Sequence, residues 1–319
     1  MKPRRSIRSR TGPALALLVA AAGFAHAAPP KRDADRWAVL VGVDDYTLAG
    51  KLQYCGADQR ALRDRLVAAG FPEAQVFLLD DAAKEGRYRP SKGNIERQVD
   101  AVLKTAAEGD VVVLGFSGHG TEVDRKMYLV PGDGDPADPA TLVSLDRVYD
   151  RLRECPASVK LVIVDACRND LQRGARTAGV APGARALSES LETKQLPEGV
   201  VLLNSCAPGE ISWEEEKFGH GVFMHYVLEG LDGKAETDGD GAVSLNELAK
   251  YAAKQTKSFV LTSKSVTQRP YMRNEGEADL LDYALLPVAI VGNSIGMQLV
   301  RIPAGEFRMG AQETAEQFR

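Results

Sequence analysis

The sequence predicts an α/β fold, a mostly parallel sheet with helices on both faces, and three observations carry that prediction. Short runs of Val, Leu and Ile alternate with amphipathic helical stretches, the pattern of strands joined by crossover helices. Two of those runs are nearly continuous in apolar residues, as strands buried on both faces are. They end in small and reactive residues, at the carboxyl edge where open α/β sheets place their chemistry. The chain has 319 residues, 44% hydrophobic and 26% charged. That is enough for one large α/β domain and an appendage.

The elements follow in order. Trp37 to Tyr46 (WAVLVGVDDY) reads as a first central strand, and Ala57 to Ala69 as a helix with Leu62, Leu66 and Val67 inward. Gln75 to Leu79 is a second strand. Ser91 to Ala107 is a helix with Ser91 as N-cap and Ile95, Val99, Val102 and Leu103 on one face. Asp110 to Gly120 (DVVVLGFSGHG) is the third strand, followed by a Pro/Gly/Asp-rich loop at Pro131 to Pro139 and a helix from about Ser144 to Arg153. Lys160 to Asn169 (KLVIVDACRN) is the fourth strand. Arg168 to Gly199 lacks a strong apolar period and reads as a long loop carrying Arg173, Arg176, Arg185 and Lys194. A strand over Val200 to Cys206, a helix over about Gly221 to Leu231 and a helix over about Leu245 to Lys257 complete the domain. His220 and His225 fall at a helix start in this reading.

The amino terminus has a different grammar. Arg4, Arg5, Arg8 and Arg10 precede an apolar run, Ala14 to Phe24, and then Ala25-His26-Ala27, the order of a secretory signal peptide cleaved after Ala27. The run is too short to span a bilayer. The expectation is Sec-type export, a linker over 28–36, and no membrane association after cleavage. Removing residues 1–27 takes away five basic residues and no acid, which moves the formal charge from -4 to about -9. So acidic a body disfavours nucleic acid and favours basic partners. Four cysteines, Cys55, Cys155, Cys167 and Cys206, are too few for a disulfide scaffold.

The chemistry concentrates in two strands. Cys167 closes one apolar run and His119 the other, and a thiol beside an imidazole is the minimal nucleophile and base of a thiol hydrolase. Taken singly, the cysteine is a small buried hydrophobe and the histidine a satisfied loop residue. Residues two apart on a strand share a face, so Asp165 points with Cys167 and Ser117 with His119.

Taken together, SGHG and DAC at the ends of two apolar strands resemble the caspase-like peptidases, specifically the metacaspase and bacterial caspase-like branch, over about Arg36 to Ala284. The resemblance implies a caspase-like (haemoglobinase-type) fold spanning residues 37–285, with His119 and Cys167 as the catalytic dyad. It implies an oxyanion hole made by the backbone N–H groups of Gly120 and Cys167. It also implies an acidic pocket for the residue preceding the cut, built from Cys55 and Asp58 in YCGADQRAL together with Ser117 and Asp165, which would select arginine or lysine. Asn204 to Glu216 (NSCAPGEISWEEE) resembles a cleft-lining loop, departing from the family where Pro208 and Gly209 stand at usually acidic positions and Glu210 replaces an amide. Asp133 and Asp146 lie near where metacaspases carry calcium ligands.

A second calcium candidate comes from spacing. Glu236 to Glu247 (ETDGDGAVSLNE) reads as an EF-hand-like loop with oxygen donors at Glu236, Asp238, Asp240 and Glu247, glycine at the sixth position and valine at the eighth. The chemistry itself requires no cofactor; calcium is the ion such a loop could hold, and a plain acidic connection is the other reading of it. Finally, Asn293 to Gly310 resembles the opening of formylglycine-generating, sulfatase-modifying-type domains, so 286–319 reads as a linker and the truncated start of such a domain.

The expectation is an exported cysteine endopeptidase acting on proteins or peptides after Arg or Lys and processing itself within the 168–199 loop. The alternative is a non-catalytic, calcium-responsive interaction module on the same fold. A nucleotide-binding domain is excluded by the lack of a G-x-G-x-x-G or P-loop motif.

Overall fold

In a computed structural model of the protein, the described residues are 34–124, 126–168, 196–207, 209–275, 278–287, 291–292 and 298–299. The expected signal peptide, the basic residues of the 168–199 loop and most of the 293–310 stretch lie outside them. No helix among the described residues is long and apolar enough to cross a membrane.

The strands β1 (Arg36–Gly42), β2 (Val76–Asp80), β3 (Val111–Val123), β6 (Val159–Arg168), β7 (Val200–Asn204) and β11 (Tyr271–Asn274) form the central sheet in the order β11-β7-β6-β3-β1-β2. All neighbours run parallel except β11, which is antiparallel to β7. Two shorter strands, β4 (Lys126–Leu129) and β5 (Val143–Ser144), extend the sheet from the far end of β3.

Alternation along the strands divides the core into two layers. On one face Val112, Leu114 and Phe116 of β3 and Val162 and Val164 of β6 pack with α2 (Lys92–Thr105) and α3 (Leu145–Glu154) through Ile95, Val99, Tyr149 and Leu152. On the other, Val111, Val113, Leu161 and Ile163 meet α1 (Cys55–Ala68), α4 (Val222–Glu229) and α5 (Leu245–Lys264) through Leu62, Leu66, Met224 and Leu248. Helices covering both faces make each strand apolar on both sides, which is why the strands read as continuous hydrophobic runs. Residues 230–234 continue α4 as a wide turn in which Gly233 adopts φ 102°.

The ends of elements differ from the sequence reading in physically simple ways. β1 stops at Gly42, whose added Cβ would lie 2.4 Å from the Cys55 carbonyl oxygen, so strand and helix start meet there with no room for a side chain. β3 continues past Gly120 to Val123 and turns back as β4, because Thr121 to Val123 pair with Lys126 to Tyr128. β7 ends at Asn204 instead of Cys206, and α5 runs on to Lys264, held at its start by a capping box between Ser244 and Glu247 and ended by Ser265 in the left-handed region. β11 has no counterpart in the sequence pattern: YMRN is an edge strand of intermediate burial with no apolar run to reveal it.

Candidate active site

The parallel ladder between β3 and β6 sets Ser117 against Asp165, His119 against Cys167 and Gly120 against Arg168. Both sequence-predicted members of the dyad therefore stand side by side on adjacent strands. Gly120 lies between Leu129 of β4 and Arg168 of β6.

The segment that leaves β1 grips His119. The Tyr46 hydroxyl accepts the His119 backbone N–H at 2.7 Å, and the two rings lie 4.6 Å apart between centroids, tilted by 44°. Four residues on, the Gly50 carbonyl oxygen lies 2.7 Å from His119 Nε2. A carbonyl can only accept, so Nε2 carries the proton and Nδ1 is the basic nitrogen. Burial holds the imidazole's pKa below its ordinary value, which keeps it neutral and able to take a proton. Burial also raises the Tyr46 hydroxyl's pKa, so it stays protonated.

The pocket residues implied by the resemblance are all buried and converge from three elements. Cys55 and Asp58 lie in the first turn of α1, Ser117 on β3 and Asp165 on β6. Gln59 Nε2 donates to Ser117 Oγ at 2.8 Å. Ser212 Oγ donates to Asp165 Oδ1 at 2.5 Å. Asp58 Oδ1 lies 2.7 Å from His220 Nδ1, and the Gly221 N–H reaches both Asp58 oxygens at 3.2 and 3.3 Å. Burial first, and then the neighbouring Asp165, push Asp58 well above the usual carboxylate range. Burial raises Asp165 to about 6 against the lowering hydrogen bond from Ser212. The Cys55 thiol is likewise raised, by burial and by Asp58, as befits a lining group and not a nucleophile.

Several of these partners were invisible to sequence reading. His220 does not begin a helix: it sits in β9 (His220–Gly221), paired antiparallel with β8 (Glu214–Glu215), and only then does α4 start. This small hairpin carries His220 to Asp58 and Glu214 to the start of α1. There Glu214 Oε1 accepts from the N–H groups of Gln53 and Tyr54 at 3.1 and 2.9 Å and lies 4.0 Å from Cys55 Sγ. Asp44 completes the cap, accepting from the N–H groups of Cys55 and Gly56 at 2.8 and 3.0 Å. Carboxylates at a helix N-terminus satisfy orphan donors and meet the positive end of the macrodipole.

The loop before the hairpin is clasped by a distant segment. Glu210, where the family usually has an amide, is buried and accepts from the Arg269 N–H and Nε, both at 2.6 Å, and from Thr267 Oγ1 at 3.1 Å. Gln268 Nε2 donates to the Ser205 carbonyl and Ser212 Oγ, and its Oε1 accepts the Trp213 N–H. Glu210 thus anchors the residues on either side of Gln268, and Gln268 in turn bonds the Ser212 hydroxyl that donates to Asp165.

Among the described residues, potential metal ligands converge in threes at two places. One is Asp44, Cys55 and Glu214 at the recess, and the other is Glu236, Asp238 and Asp240 in the loop before β10 (Ala242–Ser244), in each case within 4.8 Å. The second is the all-oxygen set that suits a hard cation. Glu247 stands apart from that trio. Slight burial pulls its pKa up, but Thr237 and Ser244 occupy both its oxygens and hold it down to about 2. Asp133 accepts the Lys92 N–H at 2.9 Å and Asp146 sits in the first turn of α3; neither belongs to a converging trio.

Fold and site together define a class: a parallel α/β sheet with an imidazole-bearing strand in register with a cysteine-bearing strand, beside an acidic recess. A model of the caspase domain matches residues 35–279, most of the length, and the chain belongs to that family of peptidases. Metacaspase-2 of Trypanosoma brucei brucei is 25% identical over 198 residues, 55% of this chain and 55% of that protein. Metacaspase-4 of Arabidopsis thaliana is 29% identical over 143 residues, 41% of this chain and 33% of that protein. The match spans about half or less of these curated relatives. A crystal structure of a Geobacter sulfurreducens protein superposes with a TM-score of 0.54 at 17% identity, covering 80% of this chain and 98% of that one, and shows a shared fold. The family match ends at residue 279, before the stretch that resembles the sulfatase-modifying-type opening.

Proposed function

We propose that this protein is an exported cysteine endopeptidase that cleaves after arginine or lysine. The observation that carries the reading is the register of His119 with Cys167, with Nε2 committed to the Gly50 carbonyl so that Nδ1 is the basic nitrogen. In the proposed sequence His119 Nδ1 takes the thiol proton and the Cys167 sulfur attacks the scissile carbonyl. The N–H groups of Gly120 and Cys167 hold the oxyanion, and the imidazolium returns its proton to the departing amine. Water then hydrolyses the thioester by the same base.

The basic preference is supported by the recess of Cys55, Asp58, Ser117 and Asp165, to which Glu214 adds a third carboxylate, facing one imidazole, His220, that burial keeps neutral. A peptide ending in a cation would lower the electrostatic cost of holding these acids together, whereas an acidic side chain would raise it. Purified protein assayed on fluorogenic peptides differing only in Arg, Lys or Asp before the cut tests the reading; hydrolysis of the Arg and Lys peptides alone is expected. Failure to cleave any of them by a folded chain would favour the non-catalytic module.

Self-processing in 168–199 follows from the same preference, because Arg173, Arg176, Arg185 and Lys194 lie just beyond the nucleophile in sequence. Mass spectrometry should find a new amino terminus there in wild type and none in Cys167→Ala. Calcium is read as an accessory ion at Glu236, Asp238 and Asp240, with no catalytic step passing through it. Titration calorimetry with Asp238→Ala as control tests that part separately.

A further inference from the structure

Besides Asp44, whose two oxygens are taken by the Cys55 and Gly56 N–H groups, three carboxylates face the recess, and they are not equivalent. Asp58 is the most deeply set: its side chain is 2% exposed and both oxygens are taken by His220 and the Gly221 N–H. Asp165 accepts from Ser212 Oγ and from the Met224 backbone, and it too is buried. Glu214 is half-buried, and only one of its oxygens is engaged: Oε1 takes the Gln53 and Tyr54 N–H groups, while Oε2 accepts no hydrogen bond among the described residues. A guanidinium or ammonium needs oxygen lone pairs that are both accessible and uncommitted. Glu214 alone of the three supplies them.

We infer that Glu214 is the specificity-determining residue that contacts the substrate's cationic side chain, while Asp58 and Asp165 act from behind as a fixed field. The inference rests on the basic-residue reading above and reassigns the contact within it. Two observations support the position. Oε1 of Glu214 lies 4.0 Å from Cys55 Sγ, so the carboxylate sits over the pocket lining. Its charge also acts on Cys55, Asp58, Asp165 and His119, so both the recess and the proposed base feel it. The main-chain bonds to Oε1 fix the head group before substrate arrives, so the second oxygen is presented without further ordering of the side chain. His220 then has a positioning role, holding Asp58 in its buried arrangement.

The test compares steady-state kinetics on Arg and Lys peptides for wild type, Glu214→Gln, Glu214→Asp and Asp58→Asn, with melting temperatures alongside. Glu214→Gln should raise KM about tenfold or more, with kcat within about twofold and the melting temperature unchanged, because the contact is lost in the ground and transition states alike. Glu214→Asp should recover part of the loss, and Asp58→Asn should change KM less than Glu214→Gln does. A wild-type KM in Glu214→Gln overturns the inference. So does an equal or larger KM rise in an Asp58→Asn protein of unchanged melting temperature. A wild type that cleaves neither Arg nor Lys peptides overturns the basic reading itself, and that failure is seen before any variant is made.

Discussion

The two halves of the candidate site are held by different means. The half that carries the proposed dyad is a matter of main chain: β3 is hydrogen-bonded to β1, β4 and β6, and His119 is oriented by a hydroxyl on its N–H and a carbonyl on its ring. The pocket half is a matter of side chains: two two-residue strands, β8 and β9, are fixed by Ser212 to Asp165, by His220 to Asp58 and by Glu214 to the start of α1. A ladder persists whatever side chains it carries, whereas the hairpin is held by the same groups that shape the recess. The dyad's geometry should therefore be insensitive to mutation in the hairpin, and substrate preference should not be.

The largest break in the comparison comes from the dyad itself. Cys167→Ala and His119→Ala should each abolish peptide hydrolysis, while circular dichroism and the melting temperature remain near wild type. Activity surviving in Cys167→Ala would remove the nucleophile assignment.

Gly221→Ala tests whether the pocket can be damaged alone. Its new Cβ would lie 2.6 Å from Asp165 Oδ2 and 3.1 Å from Asp58 Oδ2, so both carboxylates must move. KM for Arg peptides should rise about tenfold or more, while the rate of Cys167 alkylation by iodoacetamide changes by less than about twofold, since no dyad contact is touched. A large fall in alkylation would show that the two halves are coupled.

A third test uses pH. Asp165 is raised to about 6 in the folded protein, against roughly 3.9 for an unfolded aspartate. The folded state thus holds this proton more tightly, and the stability it contributes is full below about pH 4 and lost as pH rises through 6. Asp165→Asn should raise stability at pH 7, by on the order of 2 kcal/mol, with the difference vanishing near pH 4 in denaturant titrations. The wild-type KM for Arg peptides should fall as pH rises through 6, and the variant should lose that dependence. With His119 as the proposed base, its limb should appear in kcat, below the ordinary histidine value because burial lowers it.

The smallest effect serves as the control. Ser91 caps α2, its Oγ accepting the Asn94 N–H at 3.4 Å. Ser91→Ala should cost about 1 kcal/mol of stability and leave kcat and KM unchanged.

The same division explains what could be read from the sequence. Valine-rich runs ending in SGHG and DAC carry the fold and the dyad's strands in residues close together along the chain, where a period of two is visible. The hairpin has no such period. His220 reads as part of a helix start because Val222 to Glu229 dominate the local pattern, and its role depends on Asp58, 162 residues away. Glu214 sits in the acidic run Glu214-Glu215-Glu216, where nothing local distinguishes it from Glu215, which pairs with Lys264, or from the exposed Glu216. Tyr46 is hidden by its place at the end of an apolar strand pattern, and Gly50 offers only a carbonyl, which every residue has.

That last point bears on how such a site changes over generations. The group that fixes the imidazole's tautomer is part of the peptide bond, so any residue at position 50 brings it, and no codon change there deletes it. What can be altered is the path of the chain that carries it, which Leu52 N–H to the Asp44 carbonyl and Thr47 N–H to the Gly132 carbonyl hold at either side. Inheritance of the base's orientation therefore resides in a loop's shape, and a lineage may rewrite the letters of that loop freely so long as its course is kept.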